Sequence, residues 1–449
     1  MILVPACEKG LAEYYKTLLY GIIKTEDNSL NINKYPVHYG GHMEILRKIT
    51  DDILFVGGND RRISRFENMF ALPEGVSYNA YVMRDETSTV LFDGIDSAVA
   101  ERYYRDVETA LDGRDLDYFV VHHVEPDHCT SIQGILLRYP NAKMLISGAG
   151  LRFLKQFYNK DFSDRVQVIK DGDTLELETR KLRFIAGTNV HWPEVMMTYD
   201  DKTGALFSAD AFGSFKTPDG HIFADQVAYE RDWLGEARRY YTNIVGKQGP
   251  FVQRVFKKIE DAGLDIKMIL PLHGLVFRTP EDIAMIIDKY QKWSTYTPEE
   301  KGVVIVYGSL YGNTMEAADT LAWLLAERDV PNIRVYDVSE TDRSYLVADL
   351  FRFSHAVFAC PTYNADLFPP MDAFLRDIIG LNLKDRAVSL LENKTWAGKT
   401  LQTTQTILEG MPGLRYVGEP VQMLSSLGEE QTPAIEQLAD AIKQDIETA

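Results

Sequence analysis

Seven residues of the types that bind metal ions stand directly after apolar segments of the chain. Four of them lie within six residues of one another, just after the apolar segment Tyr118–His122, and the rest each follow a later apolar segment. The seven are His123, Glu125, Asp127, His128, His191, Asp210 and His273. Any one of them alone could be an ordinary turn or capping residue. Because ligand sites in layered α/β proteins lie at strand ends, the whole set predicts a metal centre built from imidazoles and carboxylates.

A second group of candidate binding residues occupies three loops that each follow a predicted strand. The first loop, Gly308–Thr314, is rich in glycine and hydroxyl groups and leads into a helix, an arrangement that can cradle a phosphate with backbone N–H groups. A plain helix N-cap explains this loop about equally well. The other loops are Cys360–Pro370 and Glu392–Gly398, in which Tyr363 and Trp396 could stack on a planar ring. In a parallel sheet all three would open on one edge.

To bring the seven candidate ligands together, the first part of the chain must place several strand ends side by side. Apolar segments bounded by turn residues predict strands, and helical spacing of apolar positions predicts helices. The predicted strands are Ile53–Gly57, Val76–Val82, Thr89–Phe92, Tyr118–His122, Lys143–Ser147, Leu182–Ala186, Ala205–Ser208 and Lys267–Leu270. The predicted helices are Ser97–Leu111, Ser131–Tyr139, Val227–Ile244 and Phe251–Ala262. Strands flanked by helices throughout indicate an α/β sandwich.

After a polar segment near Trp293–Gly302, which predicts a linker, strand and helix alternate strictly. The predicted strands are Val303–Tyr307, Ile333–Val338, Ala356–Ala359, Ala387–Leu391 and Val421–Leu424, and a last helix spans Ala434–Ile446. Five such units in about 150 residues predict a doubly wound parallel sheet. At the other end of the chain, residues 1–42 show little periodicity, so we expect an N-terminal extension with little role in the chemistry.

The composition limits the classes of function that the chain could have. With 449 residues, 45% of them hydrophobic and 25% charged, it is typical of a soluble protein of two or three domains. Its three cysteines include no CxxC pair, which excludes a disulfide framework, a zinc ribbon and a four-cysteine rubredoxin site. The net charge of −18 disfavours nucleic acid as a partner. No signal pattern and no run of about 18 apolar residues occur, so we expect a cytoplasmic location without membrane contact.

The order of the metal-binding residues resembles that of the metallo-β-lactamase fold. Zinc hydrolases of that fold carry an H-x-H-x-D-H motif, whereas this chain has Glu125 where their second histidine stands. With this change the motif is similar to that of flavodiiron proteins. The resemblance implies one iron bound by His123, Glu125 and His191, a second bound by Asp127, His128 and His273, and Asp210 bridging both. Three carboxylates also suit two irons that cycle between ferrous and ferric states.

The later part of the chain resembles flavodoxin, which binds FMN in the loops that follow its parallel strands. The resemblance implies FMN contacts from Ser309, Leu310, Tyr311, Gly312, Asn313, Thr314, Pro361, Thr362, Tyr363, Asn364, Asn393, Trp396 and Gly398. The third loop departs from the Gly-Ser-Tyr-Gly-Trp-Ser-Gly sequence of many relatives. It reads Glu-Asn-Lys-Thr-Trp-Ala-Gly here and keeps the tryptophan and the last glycine.

Together the resemblances imply a metallo-β-lactamase-like αββα sandwich at residues 43–296 and a flavodoxin-like doubly wound parallel sheet at 302–449. They imply a flavodiiron oxidoreductase that uses FMN and two iron ions to reduce O2 to water, NO to N2O, or both. The family pattern is a head-to-tail homodimer or a dimer of dimers, with an external electron donor such as rubredoxin or a reduced deazaflavin. Tyr240, or its neighbour Tyr241, lies in a segment that resembles a family helix with a pocket tyrosine, which implies a catalytic role.

Two other classes of protein remain as alternatives. A zinc-dependent hydrolase of the metallo-β-lactamase fold could be fused to a flavodoxin electron-transfer module, although Glu125 departs from the hydrolase motif. A flavodoxin-like electron carrier could instead have a metal-free dimerisation module as its first domain, although the complete ligand set argues against this. Metal analysis that finds iron, zinc or neither distinguishes the three.

Overall fold

The computed structural model describes residues 46–396 and 398–448 of the chain. The predicted N-terminal extension, residues 1–42, lies outside the described residues, and its expected lack of a role stays a prediction. No helix in the described part of the chain combines the length and the apolar composition that crossing a membrane requires.

Two large β-sheets and two short strand pairs form the first half of the described chain. In chain order, strands β1 to β16 span Arg47–Lys48, Ile53–Phe55, Gly58–Asp60, Arg65–Phe66, Phe70–Ala71, Val76–Tyr78, Tyr81–Arg84, Thr89–Phe92, Tyr118–Val121, Lys143–Ser147, Val166–Ile169, Thr174–Glu176, Lys181–Ala186, Met196–Asp200, Ala205–Phe207 and Met268–Leu270. One large sheet has the order β1-β2-β7-β8-β9-β10-β11, the second has the order β12-β13-β14-β15-β16, and the two short pairs are β3-β6 and β4-β5. In the second sheet β13, β15 and β16 run in the same direction, so their carboxyl ends meet at one edge.

The two sheets pack face to face, and helices cover their outer faces. Side chains from both sheets share one buried cluster, in which the rings of Phe92 and Phe207 stack with centroids 3.8 Å apart. Separate clusters join each sheet to its helices, one through Tyr103 and Ile132 and the other through Trp233 and Ile286. The helices are Ala100–Leu111, Pro126–Cys129, Ile132–Arg138, Gly148–Tyr158, Tyr229–Asp232, Leu234–Tyr240, Gly249–Asp261 and Pro280–Ser294. The predicted αββα sandwich is therefore confirmed.

One strand and one helix that the sequence predicted as continuous in this half are each interrupted in the structure, so these two predictions were wrong. The predicted strand Val76–Val82 is two strands, because β6 pairs with β3 whereas β7 pairs with β2. Between them lies Asn79, whose side-chain amide donates to the carbonyl oxygens of Pro271 and Gly274. The predicted helix Val227–Ile244 is broken at Trp233, where φ is −128°, and ends in a π-helical turn at Tyr241–Val245. The spacing of apolar residues reveals neither the break in the strand nor the break in the helix.

A third large sheet, whose main strands run parallel, forms the later half of the described chain. Strands β17 to β23 span Glu300–Tyr307, Ile333–Asp337, Phe353–Tyr363, Asp366–Leu367, Ala387–Lys394, Arg415–Tyr416 and Val421–Leu424. The sheet has the order β18-β17-β19-β21, and both β22 and β23 pair with β21. Helices lie on both faces, at Asn313–Glu327, Arg343–Arg352, Pro369–Gly380, Thr400–Leu408 and Thr432–Thr448. This arrangement confirms the predicted doubly wound, flavodoxin-like fold.

The second predicted loop of this half starts later than the sequence indicated. Strand β19 continues through Cys360 to Tyr363 and then pairs with β20 as a short antiparallel hairpin. Strand β21 likewise includes Glu392, Asn393 and Lys394. The ends of both strands contain polar residues. Because strands were predicted from apolar segments, these extended ends were not predicted.

Buried polar contacts join the two halves. Arg239 Nη1 donates to Ser344 Oγ at 2.9 Å, and Asn243 Nδ2 donates to the carbonyl oxygen of Ser344 at 3.1 Å. Arg238 binds Glu299, the residue that precedes β17, and the indole of Trp293 donates to the same carboxylate at 2.6 Å. The segment between the halves is therefore fixed to the first domain.

Candidate functional site

The seven candidate metal ligands converge at one edge of the αββα sandwich. His123 and Glu125 follow β9, and the short helix Pro126–Cys129 carries the next two, while the others follow β13, β15 and β16. Their ligand atoms form two groups, each with all atoms within 4.8 Å of one another. One group is His123, Glu125, His191 and Asp210, and the other is Asp127, His128 and His273. The structure thus brings together all seven residues that the sequence singled out.

Asp210 lies between the two groups, with one carboxylate oxygen facing each. Its Oδ2 is 3.3 Å from His123 Nε2 and 3.1 Å from His191 Nε2. Its Oδ1 is 3.3 Å from His128 Nε2 and 3.6 Å from His273 Nε2. A carboxylate with one oxygen facing each ligand group is suitably placed to bridge two cations.

Several polar atoms of the cluster are buried without a hydrogen-bond partner among the described residues. They include both carboxylate oxygens of Asp127, Oδ1 of Asp210 and Nδ1 of His128. An unpartnered buried polar group costs roughly 1–3 kcal/mol, so native proteins rarely leave several together. Cations between the two groups would satisfy the carboxylate oxygens, and the mixture of imidazole and carboxylate donors suits iron. The residues therefore fit a two-metal centre.

Two of the histidines are oriented by contacts on their outer side. His123 Nδ1 lies 2.7 Å from Oε1 of Glu194, and His273 Nδ1 donates to the carbonyl oxygen of Ser77 at 2.8 Å. Such contacts fix the ring and leave Nε2 free to face a metal. Glu194 was missed by the sequence analysis, although it stands three residues after His191. Its short distance from His191 along the sequence was the one feature that could have indicated a role at the metal site.

The charges of the cluster compensate one another. Burial acts to raise the pKa of Glu125, but hydrogen bonds from His123 and His191 hold it well below its usual range. Burial acts to lower the pKa of His191, but hydrogen bonds to Asp210 and Glu125 outweigh it and raise this pKa to about 9. Metal ions entering the cluster would replace the imidazole protons as the positive charge.

A further carboxyl group, which the sequence analysis missed, lies beside the cluster. Glu67 sits in the turn between β4 and β5, with a left-handed φ of 49°. Partial desolvation of its carboxyl group beside the cluster, a hydrogen bond to Glu125 and the charge of Asp127 raise the pKa of Glu67 to about 8. The preceding residue, Phe66, packs its ring edge-on against His273, with centroids 5.6 Å apart.

Two neighbours of the candidate ligands in the sequence, His122 and Cys129, have other surroundings. His122 points away from the cluster, with Nδ1 2.5 Å from Asp93 Oδ2 and Nε2 2.6 Å from Thr198 Oγ1. Cys129 is buried in the apolar cluster under the first sheet, and burial raises the pKa of its thiol to about 12.

The two tyrosines of the predicted pocket helix have different surroundings. The Tyr240 ring lies 5.4 Å from that of His273, and its buried hydroxyl has no hydrogen-bond partner among the described residues. Tyr241 packs instead against Tyr290 and Trp293 in the apolar cluster of the second sheet. Of the two, Tyr240 is therefore the one placed beside the ligand cluster.

A cleft of about 190 Å³ opens at the carboxyl edge of the flavodoxin-like sheet. Nine of the thirteen predicted cofactor contacts line it, namely Ser309, Leu310, Tyr311, Asn313, Thr314, Pro361, Thr362, Asn393 and Trp396. Lys394, Thr395 and Ser425 also line it, and these the sequence analysis missed. Gly312, Tyr363, Asn364 and Gly398 are not among its lining residues.

The first loop of the cleft is built to hold an anion. Ser309 Oγ accepts from the backbone N–H of Gly312 at 3.1 Å, and Gly312, with φ +97°, begins the helix Asn313–Glu327. The first N–H groups of this helix lack partners within the helix and carry its positive dipole end. Gly398 is required for close approach, because a Cβ there would lie 2.3 Å from Thr362 Oγ1. The residues of the cleft suit FMN, whose phosphate the helix N-terminus would be able to hold.

Comparisons with known proteins agree with this two-site architecture. The family described as ODP family beta lactamase matches residues 76–274, and the flavodoxin family matches residues 305–425. The chain belongs to the flavodiiron proteins. As a member it is an oxidoreductase with FMN and a di-iron centre as its cofactors.

Individual flavodiiron relatives match most of the chain. The anaerobic nitric oxide reductase flavorubredoxin of Aeromonas hydrophila is 28% identical over 364 residues, which are 80% of this chain and 72% of the relative. The structure of rubredoxin oxygen:oxidoreductase from Desulfovibrio gigas is similar with a TM-score of 0.83 and 26% identity, covering 90% of this chain and 99% of that one. A flavo di-iron protein variant from Thermotoga maritima gives 0.80 and 26%, covering 90% and 100%. The zinc hydrolase alternative is not favoured by these relatives.

Proposed function

We propose that this flavodiiron protein passes electrons from an external donor through FMN to a di-iron centre that reduces O2 to water, NO to N2O, or both. The observation that carries the proposal is the position of Asp210, whose two oxygens face separate ligand groups in a chain that also holds the FMN cleft. When bound, FMN and two ferrous irons supply the four electrons that O2 requires and exceed the two that a pair of NO molecules requires.

We assign the ligands by the two groups that surround Asp210. One iron would be held by His123, Glu125 and His191 and the other by Asp127, His128 and His273, with Asp210 shared. The three carboxylates contribute a charge of −3, which lowers the cost of placing two cations in a largely buried site. Glu194 and the Ser77 carbonyl hold their histidines in place.

Tyr240 would act on the bound substrate rather than on the metals. Burial and the carboxylates of Asp210 and Asp127 raise the pKa of its phenol well above the usual value, so the group keeps its proton. A protonated hydroxyl in a water-poor pocket can donate a hydrogen bond to a diatomic molecule and to the oxygen that carries new negative charge.

The names of the relatives do not distinguish O2 from NO as the substrate of this chain. A relative named nitric oxide reductase and another named oxygen oxidoreductase both share this fold. Both also carry rubredoxin in their names, which supports a rubredoxin-type donor for this chain, with a reduced deazaflavin as the alternative. We also propose the head-to-tail homodimer, alone or doubled, and a cytoplasmic location.

Anaerobically purified protein tests the proposal by its metal and flavin content together with its turnover. We expect about two irons and one FMN per chain, because each ligand group and the cleft would be filled. With a reduced rubredoxin-type donor, the protein should consume O2 or NO. Stoichiometric zinc with hydrolase activity and no donor-dependent gas consumption would contradict the proposal.

A further inference from the structure

One charged side chain in the FMN cleft has no part in the function described so far. Among the described residues that line the cleft, Lys394 is the only one that is charged. Its Nζ lies 2.9 Å from Oε2 of Glu392, whose Oε1 accepts a hydrogen bond from the backbone N–H of Leu401 at 3.1 Å. Glu392 is only 2% exposed, so its carboxylate is a fixed anchor for the ammonium group.

The strand geometry places Lys394 away from the phosphate-binding loop. Glu392, Asn393 and Lys394 end strand β21, where successive side chains point to opposite faces. Asn393 reaches the phosphate-binding side, with Nδ2 3.2 Å from Thr314 Oγ1. Glu392 and Lys394 therefore face the other side, which the helix Thr400–Leu408 covers.

The same part of the cleft carries the groups suited to a ring rather than a phosphate. Thr362, whose hydroxyl lies 2.9 Å from that of Thr400, borders this side of the cleft, and Trp396 follows Lys394 by two residues. An aromatic side chain beside a hydroxyl and an ammonium group is a mixed surface for a heteroaromatic ring with polar edges. The third loop of the cleft thus places a cation at this point.

We propose that Lys394, positioned by Glu392, faces the isoalloxazine ring of bound FMN and stabilises the negative charge that the ring gains on reduction. The inference rests on the proposed function, in that FMN must occupy the cleft. Reduction by two electrons with uptake of one proton leaves one net negative charge on the ring. An ammonium group nearby favours that form, and Glu392 offsets part of the effect. Lys394 thereby raises the midpoint potential at which FMN accepts electrons from the donor.

The test is a redox titration of bound FMN with dithionite in the full-length protein and its Lys394→Met variant. Removing the charge should lower the affinity for reduced relative to oxidised FMN about tenfold, which is a fall in midpoint potential of about 30 mV for a two-electron couple. Lys394→Arg should keep most of the wild-type potential. Lys399→Met is the matched control, because Lys399 is exposed on the same segment and does not line the cleft.

A second variant makes the expected shift change sign. Glu392→Gln keeps an acceptor for the Leu401 N–H and removes the counter-charge of Lys394. The midpoint potential of FMN should therefore rise in this variant. If Lys394→Met fails to retain flavin, the proposal is tested by comparing the midpoint potential of FMN in Glu392→Gln with that in the wild type. An unchanged midpoint potential in Glu392→Gln would overturn the proposal.

Binding of oxidised FMN and of riboflavin to the flavin-free protein separates ring from phosphate contact. If Lys394 faces the ring, Lys394→Met should change the two affinities by similar, small factors. A selective loss of FMN affinity would place the ammonium group at the phosphate and overturn the proposal, as would an unchanged midpoint potential with FMN bound. Wild-type protein that binds neither flavin would instead contradict the proposed function.

Discussion

Nδ1 of His123 lies 2.7 Å from Oε1 of Glu194, and both side chains are almost fully buried. The same oxygen accepts from the backbone N–H of Val124 at 3.2 Å, and the second oxygen of Glu194 has no hydrogen-bond partner among the described residues. The contact with His123 is thus the one that this carboxylate makes with a candidate metal ligand. It fixes the plane of the imidazole and raises its basicity as a metal ligand.

Replacing this carboxylate should therefore weaken metal binding without removing a ligand. We expect Glu194→Gln to lower the iron affinity about 10–100-fold, the range found for partners of metal-bound histidines. Iron content after dialysis against a graded series of chelator concentrations measures the change. Glu176→Gln, at an exposed position of the same domain, serves as the control. Equal iron retention in both variants would mean that Glu194 does not support His123.

Tyr240 and Tyr241 provide a matched pair for testing the role of a phenol at the site. Among the described residues neither buried hydroxyl has a hydrogen-bond partner, and of the two tyrosines only Tyr240 packs against a candidate ligand, His273. We expect Tyr240→Phe to lower kcat about tenfold, the effect of one lost hydrogen bond of about 1.5 kcal/mol, with iron content unchanged. Tyr241→Phe should turn over at the wild-type rate. A larger loss in Tyr241→Phe would reverse the assignment.

The hydroxyl of Ser309 tests the phosphate position in the FMN cleft. It organises the loop by accepting from the Gly312 N–H, and it lines the cleft itself. Ser309→Ala should weaken FMN binding by about 10–100-fold, since a hydrogen bond to a charged group contributes about 1.5–3 kcal/mol. Riboflavin, which lacks the phosphate, should bind both proteins equally. The quenching of flavin fluorescence on titration measures both affinities, with the exposed Ser339→Ala as control.

Glu299 should make the protein sensitive to acid through the junction of its two domains. Burial acts to raise its pKa, but hydrogen bonds from Arg238 and Trp293 and the nearby Lys289 lower it below the ordinary value of 4.5. A carboxyl group with a lowered folded-state pKa contributes stability above the unfolded pKa, and this contribution is lost as pH falls through the folded value.

The Glu299→Gln variant should accordingly be less stable at neutral pH, by about 3–5 kcal/mol, because Arg238 is left buried without its counter-charge. The difference in apparent melting temperature between wild type and variant should be constant above pH 4.5 and shrink below it. A difference that grows as the pH falls would contradict the sign of the shift.

The sequence revealed the metal ligands because each is a distinctive residue type placed just after an apolar strand, as Asp210 and His273 are. Glu194 and Glu67 lack such a signal, since their roles depend on which side chain lies opposite in the folded chain. Strand β14 was missed for a related reason. Its buried polar residue Thr198 is paired inside the domain with His122, so the segment lacks a continuous apolar pattern.

The sequence predicts the flavin-binding loops well where backbone N–H groups would contact the cofactor, and less well where side chains would. The glycine and hydroxyl residues of Ser309–Thr314 identify a phosphate-binding turn by type and spacing alone. The role of Lys394 could not be deduced in that way, because it depends on strand β21 extending three residues further than its apolar part. The break in the predicted helix at Trp233 likewise follows from tertiary packing, in which that indole is buried.

The most direct test of the central claim is gas reduction by the Asp210→Asn variant loaded with FMN. An amide is a poor bridge and carries no charge, so the two cations would face each other unshielded in a partly desolvated pocket. Even two unit charges about 4 Å apart repel by about 4 kcal/mol at an effective dielectric of about 20, and iron ions carry more than one charge each. We predict that this variant loses one or both irons, keeps FMN that the donor can still reduce, and no longer reduces O2 or NO. The exposed Asp201→Asn variant should behave as wild type. Near-normal reduction of O2 to water by Asp210→Asn would contradict the account, because the irons would then not be the site of the chemistry.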